Sequence, residues 1–225
     1  MTVIAIDGPS GSGKSSVSKE VARRLGFAYL DTGAMYRAAT LWAQEQAVDL
    51  TDQPAVTKAV CCMPLEVGLN PDAPTFYLEG KDIGAAIRTT EVSTQVSKVA
   101  TNLDVRAEMR RLQREIIVNA AASHPGVVAE GRDITTVVMP DANTRILLTA
   151  SEEARLRRRS LEVHGAATAA DVEATRDQVL RRDRDDSTVM EFQKAADGVT
   201  LLDSSDLDFE QTVQAVLTIV DHDAQ

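Results

Sequence analysis

Cysteine is scarce in this chain of 225 residues, and its scarcity excludes two common ways of stabilising a fold. The two cysteines, Cys61 and Cys62, are neighbours in sequence. Cα atoms joined by one peptide lie only about 3.8 Å apart, closer than an ordinary disulfide prefers, so a disulfide framework is excluded. The histidines, at positions 124, 164 and 222, are too scattered to complete a zinc site. We expect both thiols to be buried and reduced, as in a cytoplasmic protein.

Positive charge and long apolar runs are also lacking. Lysine and arginine number 24 against 34 acidic residues, which gives a net charge of -10. A protein that coats nucleic acid needs a basic face, and one that spans a membrane needs about 18 consecutive apolar residues. The N-terminal MTVIAIDG has no basic region of the kind that opens a secretory signal. We therefore expect a cytoplasmic monomer that binds neither nucleic acid nor membranes.

Short β-branched runs alternate with helical patterns along the chain. The first run, residues 3–6, ends at Asp7-Gly8-Pro9 and is typical of a buried parallel strand. From Lys14, apolar residues recur at helical spacing until Gly26. Because strands and helices alternate without internal repeats, we expect one α/β domain whose parallel sheet has helical crossovers. The five predicted strands are residues 3–6, 27–30, 127–129, 146–149 and 199–202.

The segment between about residues 51 and 88 has a different texture. Four of the seven prolines lie in it, and the apolar runs 65–67 and 76–78 flank Asn70-Pro71-Asp72. This pattern predicts a small antiparallel patch, which we interpret as an insert rather than a second domain. Residues 91–122 then predict two helices, broken near Asn102.

Residues 8–15 match the phosphate-loop pattern G-x-x-x-x-G-K-[ST] completely, between a predicted strand and a predicted helix. The glycines let backbone N–H groups turn toward phosphate oxygens, and the helix N-terminus adds its positive end. Lys14 can reach the outer phosphates, and the Ser15 or Ser16 hydroxyl can bind Mg²⁺. The motif predicts an ATP site formed by Gly8, Pro9, Ser10, Gly11, Ser12, Gly13, Lys14, Ser15 and Ser16.

The phosphate loop by itself does not separate a kinase from a GTPase, an ATPase motor or a nucleotide-regulated binding module. The chain has no Asn-Lys-x-Asp segment to read guanine, and it is too short to add motor or transport machinery. A small-molecule kinase is favoured.

Four further features resemble those of bacterial cytidylate kinases. They are residues 31–37 (DTGAMYR), residues 87–92 (IRTTEV), the pair Ser97 and Arg106, and residues 130–138 (EGRDITTVV). The resemblance extends over nearly the whole chain, in the same order. It implies a P-loop kinase fold with a five-stranded parallel sheet flanked by helices. The implied core is 1–40, 105–150 and 195–225, with an insert that binds the nucleoside monophosphate at about 41–104 and a lid at about 151–190.

The resemblance also implies the reaction and the residues that carry it. ATP would donate its terminal phosphoryl group to CMP or dCMP, with Mg²⁺ bound near Ser15. Arginine forks suit an acceptor phosphate, and a carboxylate paired with an arginine suits the cytosine edge. The implied roles are Arg37 and Arg132 for the acceptor phosphate with Thr32 nearby, Asp133, Ser97 and Arg106 for cytosine, Asp186 for ribose, and Lys14, Arg132, Arg158 and Arg182 for the charge that develops during transfer.

One departure from the family pattern affects the acceptor site. Three residues beyond the ribose aspartate the family commonly carries an arginine, where this chain has Val189. One ligand for the acceptor is therefore missing or supplied from elsewhere, with Lys194 as a candidate.

Several alternatives remain open from the sequence. Arg106 is one of four arginines on its predicted helix and could be solvated, and Thr32 could cap the helix beginning at Gly33. Arginines 155–159 could pair with neighbouring glutamates. A shikimate- or gluconate-type kinase would keep the loop but lack the insert and the paired arginines. An ATP-regulated interaction module would bind nucleotide without net transfer.

Overall fold

A central sheet of five parallel strands organises the molecule. This computed structural model describes residues 2–165 and 168–224, without the side chains of residues 162–164, 169, 174, 177, 178 and 182. The strands are β1 (Thr2–Asp7), β2 (Ala28–Asp31), β6 (Gly126–Gly131), β7 (Thr144–Thr149) and β8 (Thr200–Asp203), in the spatial order β2-β6-β1-β7-β8. A second sheet of three antiparallel strands consists of β3 (Leu65–Gly68), β4 (Thr75–Leu78) and β5 (Lys81–Asp82).

Helices cover the sheet, and two more lie in the segment predicted as an insert. In the described part of the chain they are α1 (Lys14–Leu25), α2 (Thr32–Glu45), α3 (Gln53–Cys61), α4 (Thr90–Ala100), α5 (Leu103–Ser123), α6 (Glu152–His164), α7 (Ala169–Asp186) and α8 (Phe209–Asp223). A single 3-10 turn, Ala86–Arg88, precedes α4, and a π-helical turn, Ile134–Val138, follows β6. None of the described helices is long and apolar enough to cross a bilayer.

Alternate residues of β1 supply the two cores of the molecule. Ile4 and Ile6 pack into a cluster that includes residues of α1 and α8, whereas Val3 and Ala5 pack into a cluster with residues of α2 and α5. This alternation follows from the two-residue period of a strand whose faces are both covered by helices. Packing on both faces holds β1 in the middle of the sheet, and the phosphate loop begins at its carboxyl end.

Strands β1 and β6 bring two of the sequence motifs together. Asp7 is the register partner of Gly131, so the phosphate loop and the segment that begins at Glu130 leave adjacent strands side by side. At Gly131 an added Cβ would lie 2.5 Å from Thr32 Oγ1, so this close approach requires glycine. Ligand sites of parallel sheets lie at this edge, beyond the carboxyl ends of the strands.

The predicted five-stranded sheet is confirmed, and the antiparallel patch lies where the sequence indicated it. The sequence pattern did not predict helix α3, because a proline such as Pro54 also indicates a turn. Pro54 instead occupies the first turn of the helix, behind an Asp52 cap, where a proline is well tolerated.

One smaller prediction was wrong, and one of the open alternatives is excluded. Cys61 and Cys62 are exposed, because the buried positions of α3 are Val56 and Val60 and the cysteines at its carboxyl end follow the outer side. The residue that caps α2 is Asp31, which accepts the Ala34 N–H at 2.8 Å, and the helix begins at Thr32 itself.

Candidate active site

A strongly basic cavity lies beyond the carboxyl ends of β1 and β6. Seven lysines and arginines and four acidic residues line it, although the whole chain carries a net charge of -10. Such a local excess of positive charge suits a polyanionic ligand. The charged lining residues are Lys14, Lys19, Arg37, Arg88, Arg106, Arg132, Arg159, Asp31, Glu130, Asp133 and Asp186.

The phosphate loop forms one wall of the cavity. Gly11 and Gly13 have φ values of 77° and 86°, a left-handed conformation that glycine adopts without strain, and α1 begins directly after Gly13. Gly8 lies against the carbonyl oxygen of Leu148, and Ser12 is buried within the loop. Of the residues predicted to bind ATP, those lining the cavity are Ser10, Gly11, Gly13, Lys14, Ser15 and Ser16, while Pro9 lines a neighbouring cavity.

Glu130 connects the phosphate loop to the sheet, and the sequence reasoning gave it no role. Its carboxylate accepts the Ser15 hydroxyl at 2.5 Å and the Tyr29 hydroxyl at 3.1 Å. It also lies 3.8 Å from the Lys14 ammonium. Burial raises the pKa of Glu130, and the nearby negative charge of Asp31 adds to the rise. The sequence did carry a sign of this role, because Glu130 is an acidic residue directly after a predicted buried strand.

Ser15 and Glu130 suit a Mg²⁺ ion. This hard cation prefers oxygen ligands, and it usually takes one or two carboxylates together with substrate phosphates and water. The Ser15 hydroxyl and the Glu130 carboxylate supply such oxygens beside Lys14, within the cavity lining.

Arg37 and Arg132 line the same cavity in different surroundings. The buried Nε of Arg37 has no acceptor within the described residues, as expected of a group that waits for an anionic ligand. Arg132 forms ion pairs from Nη1 to Asp183 at 2.8 Å and from Nε to Asp186 at 3.0 Å. Thr32 donates its hydroxyl to the Glu130 carbonyl at 2.7 Å, which ties α2 to β6.

Arg106 and Asp133 form a buried ion pair at the cavity wall. Arg106 is only 6% exposed, which excludes the alternative of a solvated arginine, and it also donates to the Ala100 carbonyl at 3.3 Å. Burial raises the pKa of Asp133, and the positive charges of Arg106 and Arg110 oppose that rise. Ser97 lines an adjacent small cavity with Ser10 and Arg159, and its contact with cytosine stays a prediction.

Helices α6 and α7, which we call the lid helices because they lie in the segment predicted as a lid, pack against each other, and both contact the phosphate loop. Arg155 donates to the Ser10 carbonyl at 2.9 Å and to Asp183 at 2.5 Å. Arg158 is bound to backbone carbonyls, among them Ser12 at 3.2 Å and Ser204 at 2.7 Å, whereas Arg159 lines the cavity. The side chain of Arg182 lies outside the described part of the structure.

The remaining predicted residues lie near the Arg106–Asp133 pair. Asp186 lines the main cavity beside Arg132. Val189 and Lys194 line a second cavity, which shares Arg106 and Asp133 with the first. Lys19, Tyr36, Arg88 and Met190 also line the main cavity, and the sequence pattern gave none of them a role.

The phosphate loop on a five-stranded parallel sheet, the basic cavity beside it and the paired lid helices define a P-loop kinase, a phosphotransferase. The chain belongs to the cytidylate kinase family, whose family model matches residues 4–222. The family model thus covers all of the motifs by which the sequence resembles that family.

Named relatives agree with the family assignment, and a solved structure shares the fold. The cytidylate kinase of Streptomyces avermitilis is 46% identical over 221 residues, covering 97% of this chain and 92% of that protein. That of Mycobacterium avium is 44% identical, covering 97% and 94%. A solved sugar kinase from Janibacter sp. HTCC2649 shares the fold, with a TM-score of 0.51 at 15% identity over 98% of this chain and 95% of that one.

Proposed function

We propose that this protein transfers the terminal phosphoryl group of ATP to CMP and dCMP, producing ADP and CDP or dCDP. The observation that carries the proposal is that one basic cavity joins the phosphate loop to the buried Arg106–Asp133 pair. The family and its named relatives support the same acceptors.

Phosphoryl transfer requires mainly the in-line placement of two anions and the neutralisation of charge on the moving group. In our proposal Lys14 and the loop N–H groups hold the ATP phosphates, while Arg37 and Arg132 hold the acceptor phosphate. Ser15 and Glu130 would bind Mg²⁺, which supplies positive charge to the outer phosphates when bound. The acceptor phosphate is already ionised near neutral pH, so no strong general base is needed.

Cytosine recognition is assigned to Asp133 and Arg106. The cytosine edge presents an amino donor, a ring nitrogen acceptor and a carbonyl acceptor, which a carboxylate and a guanidinium complement. Uracil presents a carbonyl where cytosine has its amino group, so Asp133 would face an acceptor. Asp186 would bind the ribose, since it lines the cavity beside Arg132.

The proposal includes a division of labour within the domain. Residues of about 41–104 would form the part that binds the monophosphate, and α6 with α7 would form the lid, from which Arg158 and Arg182 act. Arg159 joins them as a candidate because it lines the cavity. We further propose that the protein works as a cytoplasmic monomer on small molecules, in pyrimidine nucleotide metabolism.

Measuring ADP release from Mg-ATP with a panel of acceptors tests this function. We expect turnover with CMP and dCMP, weaker turnover with UMP, and little with AMP, GMP, shikimate or gluconate. Preferential turnover of shikimate or gluconate would assign the chain to another branch of small-acceptor kinases. ATP binding with no acceptor-dependent turnover would favour an interaction module.

A further inference from the structure

Arg132 is held on three sides by residues of the lid and of the segment that follows it. Asp183 contacts Nη1 at 2.8 Å, and Asp186 contacts Nε at 3.0 Å. The guanidinium of Arg132 lies over the ring of Phe192, with Cζ 4.5 Å from the ring centroid. The arginine is only 9% exposed and still lines the cavity.

Phe192 is a buried aromatic residue in a segment of little regular structure. It lies beyond the carboxyl end of α7, and it is only 1% exposed, among the largest fully buried side chains of the described residues. A guanidinium over an aromatic face is stabilised most strongly where water is excluded. The contact therefore restricts the movement of the Arg132 guanidinium more than an aliphatic side chain of similar size would.

The α7 carboxylates restrict the edges of the same guanidinium. Asp183 also accepts the Ser10 N–H at 3.1 Å and the Arg155 guanidinium at 2.5 Å. Asp183 thereby fixes the position of Arg132 relative to the phosphate loop, where the donor phosphates would lie. Bidentate binding of phosphate by arginine depends on the orientation of the guanidinium plane.

We propose that Phe192 is a positioning residue for the acceptor phosphate: its ring holds the guanidinium of Arg132 so that the N–H donors not taken by Asp183 and Asp186 face the acceptor. This inference rests on the proposed function, in which Arg132 binds the phosphate of CMP. Phe192 itself does not touch the acceptor, so its effect must pass through Arg132.

Calorimetric titration of the full chain with CMP and with ATP tests the inference on Phe192→Leu. We expect CMP to bind roughly 3- to 30-fold more weakly, the range of a cation–π contact, with ATP affinity unchanged. Val216→Ala is the control for lost packing, because Val216 is also fully buried but belongs to α8, which contributes no residue to the cavity lining. It should lower the melting temperature comparably without changing CMP affinity. If Phe192→Leu does not fold, Phe192→Met, whose unbranched side chain adapts to irregular space without a ring, takes its place.

A double-mutant cycle with Arg132→Met separates positioning from general packing. In the Arg132→Met background, Phe192→Leu should weaken CMP binding by less than about twofold, because the group that it positions is gone. Full CMP affinity in folded Phe192→Leu, or losses that multiply, would overturn the inference while leaving the proposed function intact. If Arg132→Met alone leaves CMP binding unchanged, the acceptor role of Arg132 fails, and the inference fails with it.

Discussion

At the scale of single residues, Glu130 joins the donor and acceptor sides of the cavity. Its carboxylate accepts Ser15 and Tyr29, while its backbone carbonyl accepts Thr32 at the start of α2. A change in the carboxylate would therefore disturb the residue proposed to bind Mg²⁺, while the backbone contact to α2 would remain. Lys14 lies beside the same carboxylate and has a different task, because its ammonium is proposed to neutralise the outer phosphates.

Lys14→Met should lower kcat by about 10²-fold or more, since one preorganised charge-stabilising donor is typically worth that much. Steady-state kinetics with saturating CMP measures the change, and circular dichroism checks the fold. Lys58→Met is a suitable control, because Lys58 is exposed on α3 and should leave kcat unchanged. Near-normal turnover of folded Lys14→Met would show that the loop lysine is not catalytic.

Arg37→Met and Arg132→Met should each weaken CMP binding by roughly 10- to 150-fold, the range of a lost charge-assisted hydrogen bond, while ATP affinity stays nearly constant. Their effects on stability should differ. Arg132→Met removes one ion-pair partner each from Asp183 and Asp186, which are buried, whereas the buried Nε of Arg37 has no acceptor among the described residues. Thermal denaturation should therefore show a larger fall in Tm for Arg132→Met. If ATP affinity falls instead, these arginines bind the donor rather than the acceptor.

At the scale of elements, Asp7 fastens the segment after β6 to the end of β1. Its buried carboxylate accepts the N–H groups of Ile134 and Thr135 at 2.9 and 2.8 Å and the Thr135 hydroxyl at 2.6 Å. Asp133 directly precedes this π-helical turn, so the residue proposed to read the base is anchored beside the phosphate loop. Burial raises the pKa of Asp7 from 3.8 to about 6, against the effect of these hydrogen bonds.

The raised pKa of Asp7 predicts a pH dependence of stability. Between about pH 4 and 6 the folded protein binds a proton at Asp7 that the unfolded chain does not, so this contribution to the free energy of unfolding falls as the pH rises. Raising the pH from about 5 to about 7 should lower the stability of the wild type by about 1 kcal/mol relative to Asp7→Asn. Urea denaturation of both proteins at the two pH values measures the difference. Parallel pH profiles would show that Asp7 does not titrate in this range.

The elements that the sequence predicted well carry strong local signals. Short apolar runs beside turn residues indicated the five strands, whose ends differ from the prediction by up to two residues, although β8 is largely exposed. Helix α3 was missed because a proline marks both a turn and the first turn of a helix. The contacts of Asp183 and Phe192 with Arg132 could not be predicted, because they depend on how α7 and the segment beyond it pack against the sheet.

The same distinction applies within the site. Residues inside short motifs, such as Arg37, Arg132 and Asp133, do line the cavity. The assignment of individual lid arginines depends on side-chain direction along α6, which helical spacing does not specify. Arg158 thus contacts backbone carbonyls, while its neighbour Arg159 faces the cavity.

At the scale of the whole molecule, an acidic chain encloses a basic cavity. The net charge of -10 disfavours loose binding of polyanions over the surface, while the excess of lysine and arginine around the cavity concentrates positive potential there. This cavity is therefore a favourable place for both sets of phosphates to bind. Selectivity among small phosphorylated acceptors must then come from the wall of the cavity, where Arg106 pairs with Asp133.

Comparing kcat/KM for CMP and UMP in the wild type and in Asp133→Ala tests the central claim most directly, namely that this cavity phosphorylates CMP because Asp133 reads the cytosine amino group. We expect the wild type to favour CMP strongly. In Asp133→Ala, CMP should lose roughly 10- to 150-fold, whereas UMP should lose much less, because Arg106 is freed to donate to its carbonyl. The CMP-to-UMP ratio should therefore narrow sharply. An unchanged ratio, with both substrates reduced equally, would contradict the account.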